Sequence, residues 1–275
     1  MLYTRKTFSY EYPLEKAGVV LLGVPFDGTE TGKPVRYGPL FLREAIRNVP
    51  GYDPKSGVNV FEKQKFADAG DVEVVPGSWK LTEERIRETV KWMLETNPDA
   101  LPVFLGGDHL ITLGILQAMK GFFRERITVV HFDAHRDMLS EYMGEPFSHI
   151  TWAYHIAKDP AFRLVQIGCR SWSPEEHANS RKLGVADRIG KITGRVYLSV
   201  DLDVFDPAYA PEVGTPEPEG MLPGEFFRIL GKIPAKSLIG MDIMECASDR
   251  VNTPTAVLGA HIFKRILGMR GVVRK

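Results

Sequence analysis

The chain has 275 residues, 44% hydrophobic and 25% charged, the balance of an ordinary soluble globular protein and not of a disordered or membrane-spanning one. Lys and Arg number 35 and so do Asp and Glu; with no net charge, nothing recommends a polyanion, and nucleic acid is not an expected partner. No apolar run reaches transmembrane length and residues 1–6 carry no signal core, so a cytoplasmic protein without membrane attachment is expected, with Cys169 and Cys246 as buried free thiols.

In chain order, residues 18–24 read as a fully buried strand ended by Pro25. Gly38-Pro39 opens a helix running to about Arg47, since proline is tolerated in the first turn. Residues 66–72 form a weaker strand. Thr82 is expected to cap the next helix, whose apolar positions Ile86, Val90, Met93 and Leu94 fall at helical spacing. Strands follow at 101–105, 127–132, 164–167, 196–200 and 238–243, with helices at 111–119 and 226–230. The Pro- and Gly-rich segments 51–60 and 207–224 read as loops. Uniformly apolar strands separated by helices predict an α/β fold, a three-layer αβα arrangement with a mostly parallel central sheet, as one domain over residues 1–275.

Three of these strands run directly into polar clusters: Gly106-Gly107-Asp108-His109, Asp133-Ala134-His135-Arg136-Asp137, and Asp201-Leu202-Asp203. In an open α/β sheet the carboxyl ends of parallel strands form the binding edge. Strand alternation would throw Asp133, His135 and Asp137 to one side, and Asp201 with Asp203 likewise, with His109 as a sixth ligand. Carboxylates so crowded repel and hold protons unless cations intervene, and two divalent ions would balance the charge. Imidazole and carboxylate donors without thiolate favour Mn²⁺, with other divalent ions open. Taken singly, Gly106-Gly107 implies a sharp turn and an Asp-x-Asp before Asp206-Pro207 a capped loop. Their joint occurrence at three strand ends is what points to a metal centre. His131 alternates in phase with Asp133 and reads as a packed histidine, not a ligand.

Together the clusters resemble the ureohydrolases, the arginase and agmatinase family, whose GGDH, DAHxD and SxDxDxxDP motifs stand here at 106–109, 133–137 and 199–207. Residues 241–245 resemble the family's strand ending in a substrate-binding glutamate. Residues 23–27 resemble the agmatinase opening, and 144–149 the GEPxSH stretch of bacterial and archaeal agmatinases. Two departures stand out. The loop 211–220 carries Glu212, Val213 and Glu219 where the family has smaller residues, and Leu110 follows His109 in place of serine.

The resemblance implies an arginase-like fold and two Mn²⁺ ions per subunit, held by His109, Asp133, His135, Asp137, Asp201 and Asp203. It implies hydrolysis of a guanidino group with release of urea, in a homo-oligomer (trimer or hexamer). Asp133 and Asp203 or their neighbours would bridge the ions. Asp137 would pass the nucleophile's proton to the leaving amine, Glu245 would hold the guanidinium, and His149 would shuttle protons.

The loop 138–150 has no Asn, Lys or Arg and carries Glu141 and Glu145, while Glu212, Glu217 and Glu219 lie in the other loop. Acidic surroundings disfavour arginine's carboxylate and suit a cationic tail. Agmatine is therefore the expected substrate, yielding putrescine and urea in polyamine biosynthesis. The alternatives are N1-aminopropylagmatine, then arginine or formimidoylglutamate. An acidic substrate would need Arg136 or Arg170 as its partner. A metal-binding scaffold without activity is the remaining alternative, countered by the presence of all six ligands and Glu245.

Overall fold

A computed structural model describes residues 12–54 and 57–271; residues 1–6, on which the reading of the N-terminus rests, lie outside them. The elements are β1 (Val19–Val24), α1 (Gly38–Asn48), β2 (Tyr52–Asp53), β3 (Val58–Asn59), α2 (Val60–Lys63), β4 (Phe66–Asp71) and α3 (Trp79–Thr96). Then come β5 (Leu101–Gly106), α4 (Ile111–Phe122), β6 (Ile127–Phe132), α5 (Trp152–Lys158), β7 (Phe162–Ile167) and α6 (Pro174–Lys182). The last are β8 (Arg195–Asp201), α7 (Pro223–Leu230), β9 (Leu238–Met244) and α8 (Pro254–Gly271).

Seven strands form one sheet in the order β4-β1-β5-β9-β8-β6-β7, every pairing parallel. Successive side chains of a strand leave opposite faces, so β1 feeds two cores. Val19 and Leu21 join Leu42 of α1, Phe226 of α7 and Phe263 of α8. Val20 and Leu22 join Ile86 of α3, Ile115 of α4 and Ile156 of α5. The result is the expected three-layer αβα sandwich, with strands apolar throughout because both faces are covered.

The predicted strands all form. Ser78, not Thr82, caps α3, its hydroxyl accepting from Leu81 N–H; Thr82 is buried one turn in and its hydroxyl takes the Val75 N–H at 2.9 Å. The segment 51–60 is not all loop, since β2 and β3 pair as a short hairpin. Helices α2, α5, α6 and α8 are absent from the sequence reading. Helix α8 lies against α1 and the sheet, with Ala256, Ala260, Ile262, Phe263, Ile266 and Leu267 buried. Apolar residues spread so far around its circumference leave no clean helical stripe to detect.

Candidate metal centre

The pairing register explains why distant segments meet. Phe132, Val200, Ile243 and Leu105 stand in one row across β6, β8, β9 and β5. One residue further on, these four central strands end together and release Asp133, Asp201, Met244 and Gly106 at the carboxyl edge. Beyond that edge the ligands are not displayed by strand alternation. Strand β6 ends at Phe132, so Asp133, His135 and Asp137 lie on a loop, and Asp137 takes left-handed backbone at φ 53°. Asp203 sits in a single 3-10 turn, where its N–H donates to Asp201 Oδ1 at 2.8 Å. The capped loop read from Asp-x-Asp and the metal cluster are therefore one structure.

The chain does bend at Gly107, although neither glycine has positive φ. They permit close approach: a side-chain carbon at Gly106 would collide with Met244 Sδ, and one at Gly107 with the carbonyl of Phe26. Asp108 fixes this contact by accepting the Gly28 and Leu110 amides at 2.6 and 2.9 Å, and burial pushes its carboxyl up to about 7.

All six predicted ligands converge. His109 Nδ1 lies 2.9 Å from Asp201 Oδ2, 3.3 Å from Asp133 Oδ2 and 3.8 Å from Asp137 Oδ2. His135 Nδ1 lies 3.0 Å from Asp203 Oδ2 and 3.4 Å from Asp133 Oδ1. The donor atoms form two groups able to hold an ion, one with His109, His131, Asp133 and Asp137 and one with Asp133, His135 and Asp203; Asp133 belongs to both. His131 is fully buried behind Asp133, 2.7 Å from its Oδ2, as a packed partner of that carboxylate.

The cluster's electrostatics call for positive charge. Burial, and then neighbouring carboxylates, push Asp137 and Asp201 well above the usual range, and Asp203 upward as well. His109 is raised well above its ordinary value: burial lowers it, but hydrogen bonds to Asp133 and Asp201 outweigh that. His135 is raised by Asp133 and Asp203 in the same way. Protons gather where cations would serve, and the hard oxygen and imidazole donors fit two divalent ions.

Around the cluster, Glu245 is buried at 7% exposure and also left-handed, φ 61°, with its Oε1 accepting the His109 N–H at 2.8 Å. A side-chain carbon at Gly214 would stand 3.5 Å from Glu245 Oε2, so the glycine leaves the space over that oxygen clear. His149 lines a neighbouring cleft of about 200 Å³ with Glu30, Asp108, Tyr142 and Glu145. Burial lowers its pKa, partly offset by the charge of Glu30. Trp152, which nothing in the spacing singled out, is fully buried, stacks on His109 with centroids 4.6 Å apart and donates its indole N–H to Asp137 Oδ2 at 2.8 Å. Only its position just after the GEPxSH stretch could have flagged it.

Several candidates have other work. Glu212 points away from the cleft, accepting the Thr255 N–H and hydroxyl in the first turn of α8. Glu217 does stand beside the cluster, 3.5 Å from His135 Nε2. Glu141 and Glu219 are exposed. Arg170 donates to the carbonyls of Asp203, Val204, Glu217 and Pro218. Arg136 bonds Gln166 and Ser180 beneath the Trp172 ring. Cys169 and Cys246 are both free, but Cys169 is only half-buried.

The arginase family's sequence model matches residues 17–268. The N(1)-aminopropylagmatine ureohydrolase of Thermococcus kodakarensis is 35% identical over 97% of this chain and 96% of its own length. The agmatinase of Pyrococcus horikoshii is 34% identical over 98% of this chain and 99% of its own. Among solved structures, the agmatine ureohydrolase of Thermoplasma volcanium superposes with a TM-score of 0.82 at 28% identity, covering 94% of this chain and 92% of that one.

Proposed function

Because this chain belongs to the arginase family, we propose that it hydrolyses the guanidino group of a small cationic amine, first agmatine, to putrescine and urea. N1-aminopropylagmatine is the alternative, since two relatives of similar identity, 35% and 34%, are named for these two substrates. The observation that carries the cationic tail is the cleft beside the cluster: it is lined by Glu30, Asp108 and Glu145 and by no Lys or Arg. Arginine or a guanidino acid would bring a carboxylate into that field. The two arginines that might have received it are committed to carbonyls, Gln166 and Ser180.

Two Mn²⁺ ions per subunit complete the proposal. His109, Asp133, Asp137 and Asp201 would hold one, and Asp133, His135 and Asp203 the other, with Asp133 shared. When bound, the ions supply the charge that makes water nucleophilic near neutral pH. Glu245 then orients the guanidinium, whose N–H groups donate charge-assisted hydrogen bonds to its free oxygen. Asp137, fixed by the Trp152 N–H, takes the nucleophile's proton and returns it to the leaving amine. His149, uncharged near neutrality and facing the cleft, carries protons between the site and solvent. Trp152 stacked over His109 keeps water off that side of the cluster. A cytoplasmic homo-oligomer, trimer or hexamer, serving polyamine biosynthesis belongs to the same reading. Among the described residues no helix is long and apolar enough to cross a membrane.

The test is Mn²⁺-dependent urea release from agmatine, N1-aminopropylagmatine, arginine and 4-guanidinobutyrate. Preference for either of the last two would overturn the cationic-tail reading. A metal-loaded protein that releases no urea from any of them would favour the inactive scaffold.

A further inference from the structure

One row below the ligands, the sheet carries a second polar layer. His131, Ser199 and Asp242 are register partners across β6, β8 and β9, and all three are fully buried. Asp242 accepts from three hydroxyls: Thr112 Oγ1 at 2.9 Å, Tyr197 OH at 2.7 Å and Ser199 Oγ at 2.7 Å. Ser199 Oγ also lies 2.7 Å from His109 Nε2. Burying four polar side chains in an otherwise apolar core costs desolvation that a hydrophobic residue at 242 would avoid. Among the described residues, the hydrogen bonds of this network lead out through His109.

Proton counting decides what that exit does. A hydroxyl has a single proton to donate. Ser199 gives its proton to the Asp242 carboxylate, whose other oxygen is filled by Thr112 and Tyr197. The Ser199 oxygen can then only accept, so the proton between it and His109 sits on Nε2. When an ion displaces the proton on Nδ1, the Nε2–H therefore stays hydrogen-bonded to Ser199 and the bare Nδ1 faces the ion from the side of Asp201 Oδ2 and Asp133 Oδ2. We infer that Asp242 and Ser199, braced by Tyr197 and Thr112, are positioning residues that set the tautomer of His109 and through it the affinity for one of the two ions. This rests on the reading of His109 as a ligand, and not on which guanidine is cleaved.

The experiment uses the whole chain with Asp242→Asn, Ser199→Ala and Tyr197→Phe. In the protein loaded with diamagnetic Zn²⁺, ¹⁵N spectra of the His109 ring, identified by its absence in His109→Asn, should report Nε2–H in the wild type. The Nε2–H signal should weaken in Asp242→Asn, where the amide can no longer take every hydroxyl proton. Stepwise Mn²⁺ titration should then find one ion bound about 10–100-fold more weakly in Asp242→Asn and Ser199→Ala, with the other within about threefold of wild type. Tyr197→Phe should shift the same ion in the same direction by less. A metal-loaded wild-type His109 without a proton on Nε2, unchanged affinities, or equal weakening of both ions would overturn the inference. Should Asp242→Asn fail to fold, Ser199→Ala breaks the same link without stranding a buried charge. A wild-type chain that binds no ion would instead sink the metal reading, while two bound ions without urea release would leave this inference intact.

Discussion

Asp137 and Glu245 share an unusual backbone, with φ at 53° and 61° on residues that have a side chain. Such conformations cost roughly 1–3 kcal/mol and persist where the surroundings over-determine them. Here Trp152 pins Asp137 and the His109 amide pins Glu245. Glu245→Gln keeps the amide contact and removes the charge. Charge-assisted hydrogen bonds are worth about 1.5–3 kcal/mol, so the expected result is a fall of about 10–150-fold in kcat/KM for agmatine, with the melting temperature little changed. His149 supplies the pH test. Burial lowers its pKa from 6.5, so it is neutral at pH 7 and becomes charged only as pH falls further. The acid limb of the rate profile should lie below 6.5 and should disappear in His149→Ala, along with part of kcat. At this scale the converging cluster was legible, because six residues of ligating type stand at three strand ends. Trp152, Ser199 and Asp242 were silent as functional groups, since what they do depends on partners far away in sequence.

Among elements, the loop 211–220 shows how a pattern can mislead. Its glutamates read as one acidic surface, yet Glu212 accepts from Thr255 in the first turn of α8 and only Glu217 reaches the cluster. Glu212→Ala should cost about 1 kcal/mol of stability, as the loss of a capping group does, and leave the KM for agmatine unchanged. A raised KM would return Glu212 to the substrate site. Arg170 ties that loop to the 3-10 turn holding Asp203, through the carbonyls of Asp203, Glu217 and Pro218. Lysine offers a point charge in place of a planar fork, so Arg170→Lys should destabilise the protein by about 2–3 kcal/mol if each lost bond is worth about 1 kcal/mol. It should also weaken Mn²⁺ binding at the Asp203 side, and thermal melts with metal titration would check both.

Across the whole molecule, the histidine and carboxylate cluster and the fold are coupled through charge. Asp137, Asp201, His109 and His135 all have folded pKa values raised above their ordinary ones. The folded, metal-free protein thus binds more protons than the unfolded chain, and its stability falls as pH rises. Asp133, lowered chiefly by His131 against the effect of burial, opposes this alone among the six converging residues. Chelation should therefore lower the melting temperature increasingly from mildly acid to alkaline pH, and Mn²⁺ at 100 times its Kd should restore about 5–10 °C per ion. A gap that narrows with rising pH would contradict the charge assignment. The sequence by itself determined the layer architecture, the six converging residues and the family, because strand periodicity and motif spacing are local properties written along the chain. Only the tertiary structure decided that the clusters sit side by side on β5, β9, β8 and β6, that Gly106 and Gly107 serve close packing, that Glu212 caps a helix, and that a buried carboxylate reaches His109 through Ser199. Each of those depends on which strands become neighbours and in what register, and that is settled by burying two apolar cores at once.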